Sequence, residues 1–371
     1  MTIQPALIDR DLSILEFNTR VLSWAARDEV PLLERLRYLS IVSSNLDEYF
    51  EVRMANLLDA AQRHVQEGEF TEAGFYKVCE KVHAMVAEQY DILRYQLHPA
   101  MEAENIRIVP HVDRTPEQRQ WVANYFRREV MPLLLPVNLD PAHPFPQVAN
   151  KSLNFIVKLG GQDALGRSNS IAIIKVPRAL PRLLHLPPAL CGGKNLLVSL
   201  PSVLRAHLPE LFPNRSIEQL SQFRVTRHSD LAVDEDDVGN LLTALREGLQ
   251  QRHYGKAVRV EVSSNCSDEI AALLCRQFDL PEQAVYRVHG PVNLVRMAML
   301  IDLVKRPDLL FAPFRPGYPA ALHHVPSIFE RLKQGDVLVH LPFESFDPLI
   351  HMLREAVKDP QVVAIKQTIY R

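Results

Sequence analysis

Cysteine is scarce in this sequence, and the spacings that bind zinc or form redox pairs are missing. Cys79, Cys191, Cys266 and Cys275 are scattered over 371 residues, with no C-x-x-C pair and no histidine at zinc-finger spacing. Disulfide frameworks belong to oxidising compartments. We therefore predict reduced, mostly buried thiols in a cytosolic protein.

Segments that would direct the chain to a membrane are also missing, and the net charge is close to zero. Residues 1–10 show no basic region followed by an apolar stretch, so no signal peptide is expected. No apolar run approaches the roughly 20 residues that span a bilayer. The formal net charge of -2 argues against bulk binding of nucleic acid but leaves room for a local basic groove. We expect a soluble protein with no nucleic-acid partner and no transmembrane segment.

Familiar catalytic motifs are missing too. No G-x-S-x-G elbow, H-E-x-x-H helix or H-x-K pair occurs. His323 and His324 fall in a predicted loop without a nearby acidic ligand, which argues against a metal site there. We therefore predict no catalytic residue within this chain.

The chain contains 47% apolar and 23% charged residues, which is typical of folded protein, and its length suggests two or three domains. Residues 1–105 are predicted to form a helical bundle, because Leu12, Leu15 and Leu22 recur at helical spacing. Further helices are expected to begin at Pro31, near Ser44 and at Thr71.

Residues 106–316 are predicted to form a mixed α/β domain. Thr115 and Gln118 predict a capped helix start. Predicted strands cover 153–159, 171–176, 223–227 and 258–262, and predicted helices cover 235–251, 267–278 and 291–304.

Residues 317–371, which follow a linker at 311–317, resemble the start of a parallel α/β domain. The predicted order is a helix from Ser327, a strand at 337–341, a helix at 346–356 and a strand at 362–366. Two strands and two helices cannot bury both faces of a parallel sheet, so an incomplete domain is expected.

Two polar stretches have a structural interpretation that we prefer. The loop 161–168 resembles a phosphate-binding loop with Arg in place of Lys, but a strand follows it, which favours a hairpin over a helix-opening phosphate site. The acidic run 234–237 could bind metal, but acidic residues at the start of a predicted helix favour the helix dipole.

Two other stretches leave a choice open. In 43–50, Ser44 or Asn45 could cap the start of a helix, where the carboxylates of Asp47 and Glu48 would interact favourably with the helix dipole. Alternatively, Asn45 could contact a nucleotide base or phosphate through its amide. At the end of the last predicted strand, Arg371 could grip phosphate bidentately or simply close a surface strand.

The same stretches carry a resemblance to a known family. LSILEFNTRVL at 12–22 and SNLDEYFEVR at 44–53 are similar to the opening motifs of type-1 bacterial polyphosphate kinases. HLPFESFDP at 340–348 and AIKQTIYR at 364–371 resemble the entry into that family's catalytic domains. Further similar segments lie in the same order between them, at 31–39, 223–227, 286–294 and 313–314. Ile14, Tyr49 and Asn293 depart from the family's usual Trp, Phe and Asp.

The resemblance implies a helical N-terminal domain, a head domain used for homodimerisation or higher assembly, and phospholipase D-like catalytic domains. It implies reversible transfer of the ATP γ-phosphate, through a phosphohistidine, to inorganic polyphosphate, with Mg²⁺ and with ADP as the other nucleotide. Asn45 matches the family's ATP-binding Asn. Arg371 matches an Arg at the phosphate and magnesium site. Because a guanidinium has no lone pair to offer a metal, Arg371 would bind phosphate, and the phosphate would hold the ion. The implied location is cytoplasmic or peripheral at the inner membrane.

Because the family's catalytic histidines would lie beyond Arg371, we expect this chain alone to be inactive, and His340 to be structural. Two alternatives remain. The chain could be a non-catalytic module that binds a nucleotide or dimerises with an intact subunit. A phosphodiesterase of the phospholipase D type is disfavoured, because the N-terminal motif resembles the kinase.

Overall fold

The structure is a computed structural model that describes residues 8–64, 70–139, 144–162, 171–229 and 255–368. The predicted helix at 235–251, the acidic run 234–237, most of the loop 161–168, and Arg371 lie outside these residues. Two compact units are separated at Leu310 and Phe311. That boundary falls at the start of the predicted linker.

The N-terminal part of the first unit is helical, as predicted. Its helices are α1 (Arg10–Ala25), α2 (Leu32–Val52), α3 (Met54–Arg63), α4 (Glu72–Ile92) and α5 (His98–Ala103). Apolar residues at helical spacing bury one face of each long helix, as Leu15 and Leu22 do on α1. The predicted starts at Pro31 and Thr71 are confirmed, and the Thr71 hydroxyl accepts from the Gly74 amide.

The predicted helix start near Ser44 is wrong, because α2 runs unbroken from Leu32 to Val52. Side chains in this stretch bond to neighbouring helices and do not cap a new one. Ser43 accepts a hydrogen bond from Gln89 of α4 at 2.8 Å, and Asn45 donates to Asn18 of α1 at 3.0 Å. The polar residues that suggested a helix start therefore form contacts between helices.

The following part of the first unit contains two sheets. Its helices are α6 (Pro116–Tyr125), α7 (Leu200–His207), α8 (Asp268–Phe278) and α9 (Met299–Val304). Its strands are β1 (Ile106–Ile108), β2 (Pro136–Asn138), β3 (Asn154–Gly160), β4 (Ile171–Lys175), β5 (Leu183–His185), β6 (Asn195–Ser199), β7 (Ser216–Arg227), β8 (Ala257–Ser263) and β9 (Val285–Val288). The predicted strands and the Thr115–Gln118 capping box are confirmed, although β7 begins earlier than predicted.

The larger sheet has the order β2-β4-β3-β7-β8-β9, and the smaller has the order β1-β6-β5. The antiparallel pairing of β3 with β4 confirms the hairpin interpretation of the connection between them. The β8 strand is buried along its whole length, and α2, α3 and α8 all contact it. α2 contacts both β7 and β8, so the helical and sheet parts share one core.

The second unit contains α10 (Ile328–Leu332) and α11 (Asp347–Lys358) among its described residues. The strands predicted at 337–341 and 362–366 are not formed there. A strand requires a neighbour for its backbone groups, and the described residues place none beside these segments. Their apolar side chains lie in solvent: Leu338 is 91% exposed and Val363 is 95% exposed.

Candidate functional site

Asn45 lies on the solvent side of the contact between α1 and α2. It is partly buried, and its amide nitrogen donates to Asn18 Oδ1 at 3.0 Å. Asn18 is buried, and its own amide nitrogen donates to the Val42 carbonyl of α2 at 3.2 Å. The two amides therefore form a short chain of hydrogen bonds between the helices.

This chain of bonds orients the Asn45 amide. Because Asn18 uses its N–H₂ group on a backbone carbonyl, its oxygen must face Asn45 and accept. Asn45 then presents its own carbonyl oxygen on the other side. Within the described ranges no group donates to that oxygen, so Asn45 offers a hydrogen-bond acceptor to a ligand.

Exposed apolar side chains occur within about one turn of this amide pair in the sequence of both helices. Ile41 is one helical turn before Asn45, and Phe17 precedes Asn18 on α1. They are 38% and 53% exposed, and Ile14, one turn before Asn18, is 37% exposed. An acceptor beside exposed apolar surface suits the edge and face of a planar base.

Asp47, two residues after Asn45, lies in a buried cluster of charges. Its two oxygens accept from the two terminal nitrogens of Arg224 on β7 at 2.9 Å each, and one also accepts from Arg259 on β8. Arg224 also donates to Glu261, while Arg259 donates to the Thr226 hydroxyl at 3.0 Å. Two cations and two anions therefore balance inside the core.

The pKa values reflect this pairing. Burial alone would raise the pKa of the Asp47 carboxyl, but Arg224 and Arg259 outweigh burial and hold the pKa below its ordinary value of 3.8. The pKa of Glu261 is lowered by the same two arginines against the same effect of burial. Both carboxylates are therefore ionised at neutral pH and neutralise the buried guanidinium groups.

The buried cluster holds α2 in place on the sheet, and with it Asn45. Sequence reasoning missed it and assigned Asp47 to a helix dipole, which is wrong because Asp47 lies deep within α2. A signal was present: Arg224 and Thr226, and Arg259 and Glu261, alternate with apolar residues along otherwise buried strands. Arg224 is directly opposite Glu261 in the register, and Thr226 is opposite Arg259.

Acidification should weaken the fold through these carboxyls. A folded-state pKa below the unfolded value gives a stabilisation that is complete above the unfolded pKa and is lost as the pH falls through the folded one. We expect the free energy of unfolding to decline below the ordinary Asp value of 3.8. Urea unfolding at a series of pH values would measure this free energy for wild type and for Asp47→Asn. The free energy of unfolding should fall less steeply with decreasing pH in Asp47→Asn than in wild type. Parallel curves would contradict the assignment.

The other residues discussed from the sequence, His323, His340 and Asn293, form hydrogen bonds within the protein. His323 bonds to the Tyr318 carbonyl at 3.1 Å, and the His340 amide donates to Glu344 at 2.8 Å. Asn293, which departs from the family's usual Asp, has a φ of 67° and donates its amide to the Lys151 carbonyl at 3.1 Å. A carboxylate could not donate this bond, so the departure adds a contact.

The described residues contain no group of three His, Cys, Asp or Glu side chains placed to hold a metal ion. Cys79, Cys191 and Cys266 are buried and Cys275 is partly buried, as predicted, and all four are free thiols. Burial raises the pKa of Cys79 to about 12, which leaves it protonated. Among the described helices, none is long and apolar enough to cross a membrane.

Family models match the chain in three consecutive segments. They are described as the polyphosphate kinase N-terminal domain at residues 7–109, the middle domain at 117–300 and the C-terminal domain 1 at 327–371. Asn45 lies in the first segment, and Arg224 and Arg259 lie in the second.

Proteins named polyphosphate kinase in other organisms are similar to this chain. A polyphosphate kinase of Neisseria gonorrhoeae is 47% identical over all of this chain, and one of Burkholderia lata is 46% identical. The chain spans about 55% of the length of each. The crystal structure of a polyphosphate kinase from Porphyromonas gingivalis matches 97% of this chain and 50% of its own, with a TM-score of 0.77 and 26% identity. The chain belongs to the polyphosphate kinase family.

Proposed function

We propose that this chain supplies the adenine-binding part of an ATP–polyphosphate phosphotransferase. The observation that carries the proposal is the oriented amide of Asn45, which is held by Asn18 and offers an acceptor beside exposed apolar side chains. The exocyclic amino group of adenine is a donor that fits this acceptor. The family membership of the chain supports the reaction class.

The whole protein would transfer the ATP γ-phosphate reversibly to the end of inorganic polyphosphate through a phosphohistidine, and release ADP. Arg371, outside the described residues, would grip phosphate through its guanidinium fork. Magnesium would arrive with the ATP phosphates and neutralise part of their charge. The head region, 106–316, would form a homodimer or a higher assembly in the cytoplasm.

Replacing Asn45 by Ala should weaken ATP binding by this chain. Loss of one neutral hydrogen bond is worth about 0.5–1.5 kcal/mol, which corresponds to a loss of affinity of about 2- to 13-fold. Guanine carries a carbonyl where adenine carries the amino group, so the wild-type chain should bind ATP more tightly than GTP. Asn45→Ala should reduce this difference in affinity. Isothermal titration with both nucleotides measures this.

The matched control is Asn124→Ala, which removes an exposed amide that bonds only to Gln120 among the described residues. It should leave both affinities unchanged. An equal loss for ATP and GTP in Asn45→Ala, or no loss, would refute the role assigned to Asn45.

The purified chain should bind ATP without taking up its γ-phosphate. We base this on the family resemblance, which implies that none of the histidines in this sequence matches the family's catalytic histidines. Incubation with γ-labelled ATP, followed by gel autoradiography, should leave the chain unlabelled. Label on the chain, or extension of added polyphosphate, would show that it catalyses the transfer by itself.

A further inference from the structure

A cavity of about 600 Å³ in the first unit is lined by positive side chains without negative ones. Its volume is within the range of about 300–1,000 Å³ that is usual for ligand pockets. Arg182, Arg205 and Arg296 line it, with His98 and His111, and none of its lining residues is an Asp or a Glu. Asn45 is not part of this lining, so the cavity requires its own explanation.

These arginines lack the partners that buried or clustered arginines usually have. Across the described ranges, no carboxylate forms an ion pair with Arg182, Arg205 or Arg296. One terminal nitrogen of Arg182, Nη1, is buried without any hydrogen-bond partner. Leaving such a donor unsatisfied costs free energy, so a ligand that accepted from it would recover that cost.

The positive charges are close enough to act on one another. The pKa of Arg182 is lowered to about 10, by burial first and then by the charges of Arg296 and Arg178. The charges of Arg296 and Arg178 therefore repel the charge of Arg182. An anion bound in the cavity would relieve this repulsion.

The start of α7 adds one side-chain hydrogen-bond donor to the same cavity. Ser199 and Ser202 line it at the first turn of that helix, and the positive end of the helix dipole favours anions there. The Ser202 oxygen accepts from Arg114, which is only 2% exposed and has no carboxylate partner among the described residues. The Ser202 hydroxyl hydrogen is therefore available to donate into the cavity.

A second cavity shows that this excess of charge is local. It measures about 840 Å³ and is lined by Arg276 and Arg287, but Asp268 and Glu282 also line it. Arg287 donates to Asp268. The charges there are balanced, whereas the arginines that line the 600 Å³ cavity have no Asp or Glu beside them in its lining.

We propose that the 600 Å³ cavity binds a multiply charged phosphoryl anion through Arg182, Arg205 and Arg296, with the Ser202 hydroxyl at the start of α7 donating to the same group. The planar guanidinium forks match the tetrahedral oxygens of phosphate, and three cations match several charges rather than one. The ligand is a short chain of inorganic phosphates or the phosphates of a nucleotide. The proposal does not depend on the role of Asn45.

Chemical modification of arginine locates the binding directly. The 371-residue chain is treated with p-hydroxyphenylglyoxal, with and without sodium tripolyphosphate, and modified arginines are mapped by peptide mass spectrometry. At a tripolyphosphate concentration about ten times the dissociation constant, modification of Arg205 and Arg296 should fall about tenfold. Arg354, an exposed residue on α11, is the control in the same sample and should be modified equally in both.

Parallel arms with ADP and citrate identify the anion. Stronger protection by tripolyphosphate than by ADP assigns the cavity to inorganic phosphate chains, and the reverse assigns it to nucleotides. Either outcome supports the proposal. Equal protection by citrate would overturn the phosphoryl class, and the absence of protection by any anion would overturn the site. Asn45→Ala should leave the protection unchanged, so this test can fail separately from that of the proposed function.

Variants test the same residues by affinity. Arg182→Gln and Arg296→Gln should each weaken tripolyphosphate binding about 13- to 160-fold, because a charge-assisted hydrogen bond contributes about 1.5–3 kcal/mol. Arg354→Gln is the matched control and should bind as wild type does. Circular dichroism verifies that each variant is folded. Unchanged affinity in both folded variants would overturn the proposal.

Discussion

Replacing Asp47 by Ala is expected to lower the free energy of unfolding by about 3–5 kcal/mol. The substitution removes the carboxylate that both Arg224 and Arg259 contact, and these arginines are each only 1% exposed. Glu261 alone would then face two buried guanidinium groups. Because typical domains are stable by only about 5–15 kcal/mol, this loss is large. Urea unfolding followed by circular dichroism would measure it.

Asp28→Ala is the matched control, since it also removes an aspartate paired with an arginine. Asp28 is 95% exposed and bonds to Arg35 at 2.9 Å, so its loss should cost less than about 1 kcal/mol. The quadruple variant Asp47→Leu, Arg224→Met, Arg259→Met, Glu261→Leu removes every charge of the cluster together. It should recover most of the stability, because no uncompensated charge remains buried. Equal costs for Asp47→Ala and Asp28→Ala would contradict this account.

Replacing Phe50 by Ala is expected to cost about 3–5 kcal/mol in the free energy of unfolding. The side chain is fully buried, and its ring meets that of Tyr286 edge-on, with centroids 5.7 Å apart. The Arg259 guanidinium lies 4.3 Å from the ring centroid. The substitution therefore opens a cavity at the junction of α2 with the sheet and also removes a cation–π contact within the buried cluster. Guanidinium unfolding would give the difference.

Phe17→Ala provides the comparison for Phe50. Phe17 is on α1 and 53% exposed, so removing its ring leaves no buried cavity. Its unfolding free energy should stay within about 0.5 kcal/mol of wild type. A loss in Phe50→Ala no greater than in Phe17→Ala would show that the junction between α2 and the sheet carries little of the stability.

Part of the fold was predictable because its signals are local. The α1 and α4 helices follow from apolar residues at helical spacing, and the starts of α2 and α4 follow from Pro31 and Thr71. β3 and β4 follow from short apolar runs, and their hairpin from the loop between them. These signals act between neighbouring residues, so the chain segment carries the information itself.

Other elements were predicted wrongly because contacts with residues distant in sequence decide their structure. Ser43 and Asn45 have the composition of a helix start, yet contacts with α4 and α1 use their side chains within an unbroken helix. The segments at 337–341 and 362–366 have the composition of strands, but strands need pairing partners, which the described residues do not place beside them.

The sequence by itself determined the family through collinear motifs, the helical N-terminal part, the antiparallel β3–β4 hairpin and the candidate Asn45. Only the tertiary structure decided which charges meet. Asp47 is separated by 177 residues from Arg224 and by 212 from Arg259. The arginines of the 600 Å³ cavity also come from distant segments. Whether a buried charge finds a partner depends on how the helices and sheets pack, and spacing along the chain does not encode that.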